Sequence, residues 1–192
     1  MKQALCIAAS ALLVSINAVG APVTYNVDPS HTYPSFEADH FNGLSKWRGK
    51  IEKSSGKVVL DREAKAGTVE ITMLMSSINF GLKKMNEVAT SSEIFDVEKY
   101  PTATYKGKFS KFDGEQPTEV EGTLTLHGVT KPVKLSINEF KCIMNPMLKR
   151  ENCGADVSAT FNREEFGVDF GKRLNFKQDV KLAIQVEAIK AE

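Results

Sequence analysis

Cysteine is scarce in this chain, and so are the other residues that usually mark a metal or redox centre. Three cysteines, three histidines and one tryptophan are spread over 192 residues. His31, His40 and His127 are far apart, and none has a second ligand type two or four residues away. A zinc site needs three or four donors at workable spacing, so metal ligation finds no support here. A nucleophile elbow, a phosphate-binding loop and a dinucleotide fingerprint are missing too, and with them the commonest enzyme signatures. No excess of one charge exists: 25 Lys and Arg face 24 Asp and Glu, for a formal net charge of +1. Without clustered cations to neutralise phosphates, nucleic-acid binding is excluded as the reading. No low-complexity linker and no internal repeat divides the chain.

Only one long apolar run is present, at the start. Lys2 supplies a short positive region, residues 4–18 are small and apolar, and Ala18, Val19, Gly20 and Ala21 offer a cleavage site. This pattern predicts a signal peptide over 1–20, cut near 20/21, with a single domain over 21–192. The run is too short to span a bilayer comfortably and no stop-transfer pattern follows. Removing Lys2 with the leader leaves 24 residues of each sign. Export in a bacterium implies the periplasm. Cys6 falls within the leader as a small apolar residue. Cys142 and Cys153 are then the remaining thiols in an oxidising compartment, flanking a loop with Asn145-Pro146, and they are expected to pair.

What the sequence does hold is alternation. In residues 120–137, Val120, Gly122, Leu124 and Leu126 point one way and Glu121, Thr123 and Thr125 the other. Val133, Leu135 and Ile137 continue the dry face after a loop at 127–132. Period two marks strands with one dry face, and the two runs read as an antiparallel hairpin with a loop of several residues. The same pattern places Phe36, Ala38 and His40 on one face, then Trp47, Gly49 and Ile51, Val58 and Leu60, and Val69, Ile71, Met73 and Met75. It resumes with Ala103, Tyr105 and Phe109, then Val157, Ala159 and Phe161, and closes with Val180, Leu182, Ile184, Val186 and Ala188. Residues 82–92 switch to helical spacing, with Leu82, Met85 and Ala89 in line. A further short helical turn is expected near 163–166. Eight or more antiparallel strands, each with one dry face, call for closure, because closure hides both the edges and the apolar faces. The expected fold is therefore all-β: an antiparallel barrel of about eight strands with one or two short helices.

Four segments carry a family resemblance. LTLHGVTKPVKL (124–135), FDVEKYPTATYKG (95–107), FNREEFGVDFG (161–171) and NVDPSHTYPSFEADHF (26–41) resemble the hallmark segments of the YceI-like, polyisoprenoid-binding family. They follow in the family's order and span nearly the whole chain after the leader. The resemblance implies a lipocalin-like periplasmic barrel that binds a polyisoprenoid or other long-chain amphiphile in an apolar cavity, without catalysis. From apolar faces alone, a filled core is the ordinary expectation; the resemblance shifts it to a cavity. The residues expected to line it are Phe36, Ala38, His40 and Trp47 from the first strands, then Met73, Met75, Met85 and Phe95. Tyr105, Leu124 and Leu126 follow, and Phe161, Phe166, Phe170 and Phe176 complete the set. Where many members carry His-Leu-Arg/Lys-Ser, this chain has Val88, Ala89, Thr90 and Ser91, so a cation that could meet a phosphate head is missing. A neutral or weakly acidic head, such as a quinone, fatty amide or fatty acid, fits that change better.

The leading expectation is a carrier, store or scavenger of such a lipid, with no cofactor apart from a bound isoprenoid or quinone-like lipid. Transient contact with a membrane or membrane protein, and a homodimer, stay open. Two rivals remain: an interaction protein with a filled barrel that acts on a membrane-protein partner, and an enzyme acting on a lipid, since a triad assembled from distant Asp, His and Ser leaves no trace in spacing.

Overall fold

The structure is a computed structural model and describes residues 21–192; the expected leader and its cleavage site lie outside them. Twelve strand segments and one helix follow in order. The first three are β1 (Val23–Val27), β2 (Tyr33–His40) and β3 (Ser45–Ile51). Next come β4 (Ser54–Asp61), β5 (Ala66–Leu74), β6 (Ile78–Asn79) and the helix α1 (Lys83–Thr90). Then follow β7 (Thr102–Asp113), β8 (Gln116–Leu126), β9 (Val129–Pro132) and β10 (Leu135–Met144). β11 (Glu151–Asn162) and β12 (Asp179–Lys190) complete the chain.

Pairing runs β1-β4-β5-β7-β8-β10-β11-β12, and β12 pairs back onto β1. Eight antiparallel strands thus close a barrel, so every one of them has both neighbours and no long edge is left. Several ring members are bent and appear as two segments. β1 and β2 lie one after the other along the same edge of β12, which pairs Val27 with Ala188 and Ala38 with Val180. The bend falls at Asp28-Pro29, where a proline cannot donate to the ladder. Thr32 fills the gap: its Oγ1 donates to the Glu187 carbonyl and accepts from the Glu187 N–H, both at 3.2 Å.

The hairpin at 120–137 is tighter than the sequence implies. Leu126 pairs directly with Val129, so the turn is only His127-Gly128, at φ 51° and 76°. Two successive left-handed residues make the hairpin turn whose twist matches that of its strands. The expected loop of several residues is in fact β9, which continues the β8 ladder up to Pro132.

The barrel has two unlike ends. One carries α1, the β2–β3 tip, the β8–β9 turn and two 3-10 turns, Arg163–Phe166 and Lys172–Leu174. At the other, Tyr25, Leu60, Cys153 and Ala188 pack into a plug with Phe109, Phe112 and Phe140. The Tyr25 hydroxyl donates to Glu151 at 2.8 Å, and Arg62 holds the other oxygen of that carboxylate at 2.8 Å. Burial, then the neighbouring carboxylate, push the Tyr25 phenol up to about 12.

Cys142 and Cys153 stand opposite each other in the β10–β11 ladder and are joined by a disulfide. The bridge closes a loop of separation 11, for which the chain-entropy account gives about 3 kcal/mol of stabilisation. Cys142→Ser with Cys153→Ser should lower stability by up to about that amount while leaving the barrel closed, as followed by denaturant melts with and without reductant. Reduction should shift the wild-type melt and leave the double variant unchanged. A wild type insensitive to reductant would show that the bridge adds no stability.

Candidate functional site: an apolar channel within the barrel

Alternation turns one face of every strand inward, and these faces enclose a cavity of about 270 Å³. β12 shows the geometry most clearly. Val180, Leu182, Ile184, Val186 and Ala188 all line the cavity, from the helical end to the plug. Eight residue-to-residue steps at about 3.3 Å each make this wall ~26 Å long. Leu135, Ile137, Leu182 and Ile184 face the interior and yet are only half-buried. In a packed core such side chains would meet 6–12 neighbours and lose nearly all exposure. Here the surface they keep faces open channel, so the barrel is not filled.

Most of the expected lining residues stand on this wall. From β2 and β3 come Phe36, Ala38 and Trp47. Met73 stands near the end of β5, Met75 follows in a short 3-10 turn, and Met85 and Phe95 reach in from α1 and the turn after it. Tyr105, Leu124 and Leu126 line the wall from β7 and β8, and Phe161, Phe170 and Phe176 from β11 and the segment that follows it.

His40 and Phe166 stand elsewhere. His40 is the last residue of β2, so its inward direction carries it past the wall to the rim. There its ring stacks on Trp47 at 4.4 Å and meets Phe176 edge-on at 5.1 Å. Phe166 is 1% exposed and packs edge-on against Phe161 at 5.3 Å, one layer behind the lining.

Polar groups on the wall are few. The Tyr105 hydroxyl donates to the Val133 carbonyl at 2.9 Å, and burial pushes its phenol up to about 12. It lies over paired glycines: Gly107 faces Gly122 across β7 and β8, and a Cβ on Gly122 would sit 2.6 Å from the Tyr105 oxygen. Near the helical end, Asp39 and Arg163 are the charged lining residues. Asp39 accepts the Lys177 N–H at 2.9 Å. Arg163 donates to the Val168 carbonyl at 3.0 Å and the Phe170 carbonyl at 2.6 Å. It makes no ion pair within 4.0 Å among the described residues, and burial pushes its guanidinium below the usual value.

Five N–H donors on Arg163 minus the two already engaged leave three for another acceptor. Its place comes from local chain geometry. Asn162 caps the 3-10 turn by accepting the Glu164 N–H at 3.0 Å. Gly167 and Gly171, at φ 75° and 76°, then curl the chain back so that the carbonyls of 168 and 170 face the guanidinium. The sequence predicts only a short helical turn at 163–166 and gives no sign of this cation. The missing cation of the helix is a separate matter: Thr90 stands at that place, its Oγ1 donating to the Asn86 carbonyl at 2.9 Å within α1.

Two clusters bring three potential metal donors together among the described residues. In one, Cys142 and Cys153 have their sulphurs tied up in the disulfide. In the other, Asp28, His31 and Glu187 lie on the outside, where His31 and Asp28 are bonded at 2.7 Å. Cys153 reaches the channel wall at the plug, whereas Asp28, His31 and Glu187 do not line it.

A closed antiparallel barrel whose interior is an unfilled apolar channel defines a barrel of the ligand-enclosing type. The family model described as the YceI-like domain matches residues 25–188, and the chain belongs to that family. It is 28% identical over 186 residues to a UPF0312 protein of Pseudomonas putida (strain W619), covering 94% of this chain and 93% of that one. A UPF0312 protein of Pectobacterium atrosepticum is 28% identical over 193 residues, covering 98% and 97%.

Solved structures share the fold at lower identity. Burkholderia cenocepacia BcnA superposes with a TM-score of 0.64 at 22% identity, over 84% of this chain and 98% of that one. A polyisoprenoid binding domain from Saccharophagus degradans gives 0.62 at 14% identity, over 88% and 99%.

Proposed function

We propose that this protein is a periplasmic, non-enzymatic carrier, store or scavenger of a long-chain isoprenoid or similar amphiphilic lipid, held in the barrel. The observation that carries this reading is the unfilled channel, apolar along its length. Burying apolar tail surface there is favourable by roughly 25 cal/mol per Å², and the Met73, Met75 and Met85 thioethers adapt to a flexible chain. The relative described as a polyisoprenoid binding domain shares the fold. The disulfide suits an oxidising compartment.

Polar groups on the wall support binding over turnover. Tyr105, Thr32, Asp39 and Arg163 are each engaged with backbone. Arg163 supports a head-group class. A guanidinium with free donors in an apolar wall fits acceptor oxygens: quinone carbonyls, a fatty amide or a carboxylate. No cofactor other than the lipid is needed.

Organic extraction of natively purified protein, followed by mass spectrometry, tests the reading. A long-chain lipid should be released at close to one per chain, or one per dimer if two chains share it. Ile184→Trp, which narrows the channel from mid-strand, should release much less while keeping the barrel's circular dichroism. Repeated extraction of folded wild type with no lipid would overturn the carrier reading.

A further inference from the structure

Three segments at the helical end depart from the polar outer surface of this barrel. The β2–β3 tip exposes Phe41 and Leu44, the latter by 78%. The chain leaving β6 runs antiparallel to β3, toward that tip, and exposes Leu82 by 63%. The Lys172–Leu174 turn exposes Leu174 by 54%. Each segment also carries cations: Lys46 and Arg48, then Lys83 and Lys84, then Lys172, Arg173 and Lys177. A single exposed leucine needs no explanation. The same combination on three separate loops at one end does.

Backbone geometry at the tip adds a second observation. Phe41, Asn42 and Gly43 take successive left-handed conformations, at φ 50°, 51° and 95°. For a bulky aromatic this conformation is uncommon and costs energy. Asn or Gly at 41 would relieve it, yet a phenylalanine occupies the place.

The exposed rim is continuous with the channel. The Phe41 ring lies 4.9 Å from Phe176 and 4.6 Å from His40, which stacks on Trp47. Phe176 and Trp47 both belong to the channel wall. Carbon surface therefore runs unbroken from the outermost tip to the interior. A second exposed apolar group, Ile143, Met144, Met147 and Leu148, lies at the opposite end beyond the Tyr25 plug and lacks this continuity.

We propose that the rim formed by Phe41, Leu44, Leu82 and Leu174 docks the barrel onto an anionic lipid bilayer, so that lipid moves between bilayer and channel without crossing water. The idea rests on the carrier reading above. Charge identifies the occupant. Lys46 and Arg48 share Glu37, and Lys172 holds Glu164, but Lys84, Arg173 and Lys177 make no ion pair among the described residues. Unpaired cations around exposed leucines are the complement of anionic head groups above acyl chains.

The test uses the full protein and two vesicle types, phosphatidylcholine alone and phosphatidylcholine mixed with phosphatidylglycerol. Flotation reads docking, and fluorescence of an anthroyloxy-labelled stearate added from solution reads the channel independently. Wild type should float with the anionic vesicles and much less with the neutral ones. Leu44→Asp with Leu174→Asp should lower flotation at least about tenfold and leave stearate uptake unchanged, since neither residue lines the channel. Lys84→Gln with Arg173→Gln should weaken binding to the anionic vesicles by about 30-fold. Equal flotation of wild type and both variants would overturn the proposal. So would a wild type that takes up stearate from solution but floats with neither vesicle type. A wild type that takes up no stearate would instead overturn the carrier reading itself.

Discussion

Leu126→Glu is expected to cost about 3–5 kcal/mol, whereas Thr125→Glu, one residue earlier, should cost less than about 1 kcal/mol. Leu126 is 7% exposed and faces the channel. Replacing it forfeits roughly 2 kcal/mol of apolar burial. The carboxyl must then stay protonated or draw water into an apolar wall, which adds a few kcal/mol. Thr125 points out; its hydroxyl pairs with that of Thr130 at 2.8 Å on the exposed side. Glutamate there gives up one cross-strand bond and gains hydration. Denaturant melts of the two variants make the comparison. Similar losses at 125 and 126 would mean that the inner face of β8, and with it the channel wall, is assigned to the wrong side.

The second large effect is expected at Gly122, where strand propensity and packing disagree. Propensity favours Gly122→Val, because glycine weakens a strand interior. Packing forbids it. A Cβ at 122 would lie 2.5 Å from the Lys106 carbonyl oxygen and 2.6 Å from the Tyr105 hydroxyl. The ring must move, its bond to Val133 breaks, and a buried hydroxyl is left without a partner. Overpacking of about 1–3 kcal/mol adds to an orphaned polar group of about 1–3 kcal/mol. We expect a loss of about 3–5 kcal/mol, opposite in sign to the propensity effect. Tyr105→Phe removes the oxygen that the new Cβ strikes, so the pair Tyr105→Phe and Gly122→Ala should be less harmful than the sum of the two alone. The Lys106 carbonyl keeps recovery partial. A stabilised Gly122→Val would show that the ring does not lie across the glycine pair.

Much of the fold is legible because barrel strands have one dry face. Val180, Leu182, Ile184, Val186 and Ala188 predict the inner wall of β12 residue by residue, and the wall is there. Closure follows from the same alternation, since eight half-apolar strands have no other way to hide their faces. What alternation cannot carry is where a strand stops. His40 has the right parity but lies at the end of β2, so it reaches the rim and not the channel. Phe166 is as apolar as its neighbours, yet it lies in a 3-10 turn, where period two no longer applies.

Arg163 was illegible for a different reason. An arginine in a polar motif reads as exposed, and only the left-handed Gly167 and Gly171 bring round the two carbonyls that hold it in the wall. The same head-group classes are kept, now with a cation to meet them. Sequence alone, finding Thr90 where many family members carry a cation, pointed away from a phosphate head; the wall does hold a cation, on a different segment. The hairpin turn was misjudged because the left-handed conformation of His127 depends on its tertiary setting, where its ring packs on Tyr100 at 4.3 Å.

The pairing of β1 with β12 has a consequence in time. The first and last strands of the described chain are neighbours in the ring. Local hairpins such as β7–β8 and β10–β11 can form as soon as their residues exist, but a contact spanning nearly the whole sequence must wait for the last strand and pay the loop-closure entropy at the end. β12 also lines the channel from the helical end to the plug. Until it docks, the seven other strands form an open, curled sheet with a bare apolar face and two raw edges. The binding cavity is thus the last part of the molecule to come into being, and a lipid present at that moment could be wrapped by the closing sheet instead of threaded into a finished barrel.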